Sequence, residues 1–179
     1  MQAFCAHPAG WRLDSLYAPF VYSGSVSVLI GRLKFHRQRW LGRVIGRVLG
    51  STLSGHYDWC MPVPLHRRRL AQRGFNQALE IASGIAASID GMRLVMGGLE
   101  RLRNTPPQAQ LSVNARKTNL IGCFRVNANV ERHRILLVDD VVTTGSTLNT
   151  LATLLQQRGA AHVGGVAFAR AIGRHAIKV

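Results

Sequence analysis

Residues Ile135 to Thr147 run as an apolar stretch, two adjacent aspartates and a hydroxyl-rich turn, Ile-Leu-Leu-Val-Asp-Asp-Val-Val-Thr-Thr-Gly-Ser-Thr. This order constrains the fold more than any other part of the chain. Ile135 to Val138 has the length and β-branched content of a buried parallel strand, and Leu148, Leu151 and Leu155 follow at helical spacing. The turn between them is expected at the carboxyl end of the strand, where open α/β sheets bind ligands. The predicted architecture is therefore α/β, a mostly parallel central sheet flanked by helices.

The turn has the chemistry of an anion cradle. Thr143, Thr144, Gly145, Ser146 and Thr147 combine one residue free to take positive φ with four hydroxyls, so backbone N–H groups can converge on a phosphate at a helix N-terminus. Asp139 and Asp140 repel one another unless they face hydroxyl donors or a divalent cation, and a ribose carrying Mg²⁺ supplies both. A phosphoacceptor receiver domain also places Asp-Asp after a strand, but it needs a further aspartate in a later strand, and no acidic residue follows Asp140. A plain helix N-cap explains Ser146 or Thr147 but not the two aspartates ahead of them.

This 13-residue segment resembles the phosphoribosyl pyrophosphate (PRPP) motif of type I phosphoribosyltransferases. Tyr22-Ser23-Gly24, Leu33-Lys34-Phe35, Pro62-Val63-Pro64-Leu65, Arg73-Gly74-Phe75-Asn76-Gln77 and Gln108-Ala109-Gln110-Leu111, followed by Arg116 and Asn119, extend the resemblance to the ComF family of competence-associated proteins. It covers roughly Leu16 to Arg170. It implies a type I phosphoribosyltransferase-like fold, PRPP as ligand with Mg²⁺ carried beside Asp139 and Asp140, and a role in DNA uptake during competence. It also implies single-stranded DNA and other competence proteins as partners, with a homodimer as a further expectation.

The resemblance divides the chain into residues 1–15, an irregular remnant of the family's N-terminal zinc module, and residues 16–179, the phosphoribosyltransferase-like domain. Cys5 and His7 cannot supply the four ligands of a structural zinc site, so no zinc is expected. Cys60 and Cys123 lie in apolar contexts and read as core thiols, with no C-x-x-C pair in the chain.

Charge points the same way as the motif. With 23 basic residues against eight acidic ones the formal net charge is +15, which favours a polyanionic partner. Arg67, Arg68, Arg69 and Arg73 flank the Pro-Val-Pro turn and would hold pyrophosphate through guanidinium forks, with Asn76 and Gln77 orienting the ligand; Asn76 also reads as a helix N-cap. Lys34, Arg37, Arg39 and Arg43 decorate an amphipathic stretch and form the candidate nucleic-acid face, with Tyr17, Tyr22, Phe35 and Trp40 as candidate stacking residues. Residues 100–116 are polar and proline-containing, the composition of a mobile loop. Arg101, Arg103, Thr105, Gln108 and Arg116 are its candidate functional residues.

Elements expected elsewhere are a short strand over Phe20–Tyr22, a helix over Ser25–Phe35 with Val28, Leu29 and Leu33 inward, and a helix over Leu41–Leu53. A strand over Asp58–Val63, a helix over Asn76–Ile89 and a strand over Phe124–Val126 follow. The helix Ser146–Arg158 then leads by a right-handed crossover to a strand over His162–Ala169. No tandem repeat is read, and the glycines between Gly31 and Gly50 are assigned no role. No apolar run approaches the roughly 20 residues needed to span a bilayer, and there is no signal-peptide pattern, so a cytoplasmic protein without membrane insertion is expected.

Catalysis is left open. A transferase would displace pyrophosphate at ribose C1 through an oxocarbenium-like transition state. The alternatives are a non-catalytic PRPP sensor or DNA-binding module, and a nucleobase salvage phosphoribosyltransferase, which ranks last because nothing marks a base-recognition hood.

Overall fold

The computed structural model describes residues 10–35, 38–103 and 122–171, with the side chain of Phe35 outside the description. Its centre is a six-stranded sheet in which every pairing is parallel, ordered β1 (Ser15–Tyr17), β8 (His162–Arg170), β7 (Arg134–Val142), β3 (Trp59–Pro62) and β4 (Arg93–Leu94), with β2 (Phe20–Val21) also on β8. A separate two-stranded antiparallel sheet joins β5 (Leu99–Arg101) to β6 (Phe124–Val126). The helices are α1 (Gly24–Phe35), α2 (Arg39–Gly50), α3 (Arg67–Arg73), α4 (Gln77–Ala86) and α5 (Ser146–Gln156). The mostly parallel α/β sheet read from the sequence is the sheet that forms.

β7 shows why the sheet is buried on both faces. Ile135 and Leu137 join one core with Leu148, Leu151 and Leu155 of α5, while Leu136 and Val138 join the other with Ile30 and Leu33 of α1, Leu41, Ile45 and Leu49 of α2, and Ile81 and Ile85 of α4. The period-2 alternation of an unbroken apolar run feeds both layers, as a strand between two helical layers requires. Burying a Leu or Ile side chain contributes roughly 1.5–3 kcal/mol, so this strand anchors the domain.

Several details differ from the sequence expectation. β7 does not stop at Val138 but continues through both aspartates to Val142. On α1, Ile30 and Leu33 are buried whereas Val28 is 55% exposed. The arginines after Pro64 lie on a short helix, α3, rather than in a loop: the His66 ring accepts from the Arg68 N–H (3.2 Å) and Gly74 closes the helix at φ +77°. Glu100 and Arg101, expected in a mobile loop, are part of β5. The boundary placed at residue 16 cuts β1. Leu13 is 1% exposed in the core, and Asp14 accepts from the Val163 N–H (2.6 Å), so residues 13–15 are integral to the sheet.

The glycines passed over in the sequence have a specific job. α2 reads Arg-Trp-Leu-Gly, Arg-Val-Ile-Gly, Arg-Val-Leu-Gly, a four-residue period that places Gly42, Gly46 and Gly50 in one row against α4. A Cβ on Gly46 would overlap the Ile81 carbonyl oxygen and the Gly84 Cα, and one on Gly84 would overlap the Arg43 carbonyl. Each helical glycine costs about 1 kcal/mol relative to alanine, and here the cost is offset by backbone-to-backbone packing along the i±4 row. That close approach brings α2 arginines within reach of Glu80 on α4.

Among the described residues no helix is long and apolar enough to cross a membrane. Cys60 and Cys123 are fully buried, as expected of core thiols, and burial pushes the Cys60 thiol up to about 12.

Candidate functional site

The carboxyl ends of β3 and β7 open into a cleft of about 170 Å³. β7 contributes Asp139 and Asp140, α1 contributes Lys34, α3 contributes Arg69 and Arg73, and α4 contributes Gln77. Asn76, which precedes α4, Arg101 of β5 and Thr147 of α5 also line it. Four cations thus surround two carboxylates. Such a grouping is self-repelling without an anion to share.

The aspartates are held by their own backbone. The Asp140 N–H donates to Asp139 Oδ1 (2.9 Å) and the Val141 N–H to Asp140 Oδ1 (2.7 Å), while Lys34 Nζ pairs with Asp140 Oδ2 at 2.8 Å. Among the described residues no backbone N–H or lysine binds Asp139 Oδ2, and the Asp139 carboxyl also shares a side-chain hydrogen bond with Asp140. Burial, and then the charge of Asp140, push the Asp139 carboxyl up to about 7. Burial and the charge of Arg73 hold the Arg69 guanidinium down, and burial with the charge of Arg69 does the same to Arg101, which also lies 5.5 Å from the Phe124 ring centroid.

Beside this cleft a smaller hollow of about 30 Å³ is formed by Asp139, Val141, Val142, Thr143, Gly145, Ser146, Thr147 and Leu148. Gly145 takes φ +70° as the N-cap residue of α5, and no side chain caps the helix. Positive φ here suits glycine, and the first turn of α5 sets its N–H groups and the positive end of the helix dipole beside the hollow. The hydroxyl of Ser146, which lines the hollow, lies 3.0 Å from that of Thr144. Behind Gly145 is the Trp11 ring, which a Cβ would overlap. The backbone around Trp11 is tied to α5, because the Arg12 N–H donates to Asn149 Oδ1 (2.6 Å) and Gln156 Nε2 donates to the Arg12 carbonyl (2.7 Å). Thr147 and Asp139 line both spaces, so one ligand can span them.

The structure sorts the residues singled out in the sequence. Asp139, Asp140 and the Thr143–Thr147 turn converge as expected. Of the four arginines assigned to pyrophosphate, Arg69 and Arg73 line the cleft. Arg67 instead lines the neighbouring larger cleft and approaches Glu100 (3.4 Å), and Arg68 lines none of these spaces. Asn76 caps α4, accepting from the Ala78 N–H (3.1 Å) and donating to the Val63 carbonyl (3.0 Å). Arg101 is in the cleft wall and Arg103 is exposed, while Thr105, Gln108 and Arg116 lie outside the described residues.

The candidate nucleic-acid face is rearranged more. Lys34 is 20% exposed and belongs to the aspartate cleft. Arg39 donates from Nε to Glu80 Oε1 (2.6 Å) and Arg43 from Nε to Glu80 Oε2 (3.1 Å), so both neutralise a carboxylate only 2% exposed. Arg37 lies outside the described residues. Of the stacking candidates, Trp40 (62% exposed) and Tyr22 (39%) are open, whereas Tyr17 packs on the core and donates to Thr52 Oγ1 (3.0 Å).

One residue changes its place: Lys34, expected on the basic surface, belongs to the cleft, and Leu33-Lys34-Phe35 is itself one of the strings that carry the family resemblance. Gln77, expected to orient the ligand beside Arg73 and Asn76, lines the same cleft. The larger cleft, about 380 Å³, is walled by Leu65, Leu70, Phe75 and Met96 and shares Arg101 and Asn76 with the smaller one. It lacks the aspartates and the N-terminal end of α5.

Among the described residues no three acidic, His or Cys side chains group as a metal site. A magnesium ion that arrives with a phosphorylated ligand needs only one or two carboxylate oxygens. Asp139 Oδ2 fits that requirement.

Comparison with known proteins gives the same fold. The phosphoribosyl transferase domain family matches residues 74–176. The DNA utilization protein YhgH of Salmonella typhi is 36% identical over 150 residues, 79% of this chain and 66% of that protein. Competence protein F of Haemophilus influenzae is 34% identical over 149 residues, 77% of this chain and 65% of that protein. The chain therefore spans slightly less than two thirds of the length of these relatives. Among solved structures, an allosteric regulatory enzyme of purine biosynthesis superposes with a TM-score of 0.51 at 21% identity, covering 72% of this chain and 25% of that one.

Proposed function

This chain belongs to the phosphoribosyl transferase domain family, and from that premise we propose that it binds PRPP in the aspartate cleft and serves in the handling of DNA during natural competence. The carrying observation is the junction of two spaces at Asp139 and Thr147: an uncapped helix end suited to one phosphate, and a cation-walled cleft suited to a second anion. In this reading Thr143–Thr147 take the 5′-phosphate, Asp139 and Asp140 take the ribose hydroxyls, and Arg69 and Arg73 take the pyrophosphate. Magnesium carried in with the ligand, held through Asp139, would neutralise part of the diphosphate charge.

If the bound PRPP is turned over, this chain's residues act by position and charge. The Asp139 and Asp140 carboxylates face developing positive charge on the ribose, and Arg69 and Arg73 stabilise the departing pyrophosphate. Arg101 narrows the cleft against water. The sequence shows no nucleobase hood, so a salvage enzyme is the weaker alternative.

DNA enters through the names of the relatives and through the charge of +15. We assign single-stranded DNA as a partner alongside other competence proteins, in the cytoplasm, with the exposed outer face of α2 as the surface to test.

A melting experiment tests the ligand. PRPP with Mg²⁺ is expected to raise the melting temperature of the wild type by several degrees and to leave Asp139→Asn/Asp140→Asn unmoved; an equal rise in both sinks the assignment. Pyrophosphate release, assayed with free bases and with DNA as acceptors, then separates a transferase from a sensor.

A further inference from the structure

We propose that Gln77 donates a hydrogen bond to the diphosphate half of the ligand and is the residue that separates PRPP from ribose 5-phosphate; this rests on the PRPP reading above. Gln77 opens α4, is 2% exposed, and lines the aspartate cleft. Its Oε1 accepts from Arg73 Nη1 at 3.0 Å. That bond fixes the amide, because the flipped orientation would aim an NH₂ group at a guanidinium that can only donate. Nε2 is therefore directed away from Arg73. It is buried, and no described protein atom accepts from it.

A buried amide N–H without an acceptor is unfavourable. Packing does not require the amide, since a leucine or methionine of similar volume would fill the same space. The neighbours do not supply the acceptor either. Lys34, Arg69 and Arg101 are donors only, and no described carboxylate oxygen accepts from Nε2. What is missing is an acceptor oxygen brought from outside, in a cleft walled by cations.

The placement says which part of the ligand brings it. The 5′-phosphate has its own hollow at the α5 N-terminus, and Gln77 does not line that hollow. Gln77 lies instead with Arg69 and Arg73 in the wider cleft, where the second anion binds. Gln77 is thus a neutral donor in the same cleft as the Arg69 and Arg73 guanidinium groups, contacting diphosphate oxygens and leaving ribose 5-phosphate untouched.

Calorimetric titration of the full chain with PRPP, inorganic pyrophosphate and ribose 5-phosphate tests this. Gln77→Leu is expected to weaken PRPP and pyrophosphate roughly ten-fold or more while changing ribose 5-phosphate less than two-fold. Gln77→Glu keeps an acceptor for Arg73 but has no N–H, and is expected to weaken the same two ligands. Added to Arg73→Ala, Gln77→Leu is expected to weaken pyrophosphate further. Equal loss of ribose 5-phosphate would mark a structural residue, and no further loss in the Arg73→Ala background would mark a residue acting only through Arg73; either overturns the proposal, as does full affinity in Gln77→Glu. A wild type that binds none of the three ligands overturns the PRPP reading itself and this inference with it.

Discussion

Lys34 Nζ lies 2.8 Å from Asp140 Oδ2, joining the last turn of α1 to the end of the central strand β7. The lysine is thereby withdrawn from the basic surface and placed in the cleft, where it balances one of two adjacent carboxylates. Asp140 is 13% exposed, so the pair is screened less than a surface ion pair.

Lys34→Met is accordingly expected to weaken PRPP binding roughly ten-fold and to lower unfolding free energy by about 1–2 kcal/mol at neutral pH. The salt dependence of single-stranded DNA binding should not change. Titration and urea denaturation check the first two effects. A shallower salt slope in the variant would return Lys34 to the DNA-binding surface.

Asp139 sets a pH dependence whose sign follows from its raised carboxyl. Its pKa in the folded protein is about 7 against an ordinary 3.8, so between those values the folded state binds more protons than the unfolded one and stability falls as pH rises. The penalty is absent below about 4 and complete above about 7. Asp139→Asn should remove this slope and be more stable than wild type at pH 8, by roughly 1–3 kcal/mol, while losing PRPP binding. Urea midpoints measured from pH 4.5 to 8 decide it.

The glycine row gives a paired prediction. Gly46→Ala places a Cβ against the Ile81 carbonyl and should destabilise by about 3 kcal/mol or more. Gly31→Ala, on α1 with open space at the same atom, should stabilise by about 0.5–1 kcal/mol. Chemical denaturation of the two variants compares them directly, and equal effects would remove the α2–α4 contact from the account.

Arg39 and Arg43 share Glu80, so replacing both with alanine strands a buried carboxylate. A loss of about 3 kcal/mol is expected. Arg47→Ala, on the exposed row of the same helix, should change stability by less than about 0.5 kcal/mol. Weaker DNA binding in Arg47→Ala therefore reports on contact, whereas weaker binding in the double variant also reports on folding. Melting curves run beside the binding assay separate the two.

What could be read in the sequence was what period and local chemistry encode. The alternation in β7 and the helical spacing of Leu148, Leu151 and Leu155 located the central strand, α5 and the hydroxyl-rich turn between them. The rest depended on partners distant in sequence. Gly42, Gly46 and Gly50 look like weak points in a helix until Gly84 is opposite them. Lys34 looks like surface charge until Asp140, more than 100 residues later, comes to 2.8 Å. Glu100 and Arg101 look like loop because β5 is short and its partner β6 lies beyond a long polar stretch. Gln77 stands among the ligand-orienting residues in the sequence, but its unmet hydrogen bond appears only in the fold.

Trp11 against Gly145 has a spectroscopic consequence. The ring packed behind Gly145, which itself lines the hollow, is a chromophore belonging to a segment that enters the domain ahead of its first strand. Of the other two tryptophans, Trp40 is open to solvent and Trp59 lies 3.9 Å, centroid to centroid, from the His133 ring. The indole behind the hollow thus makes filling of the α5 end readable as a change in intrinsic emission, with no label attached.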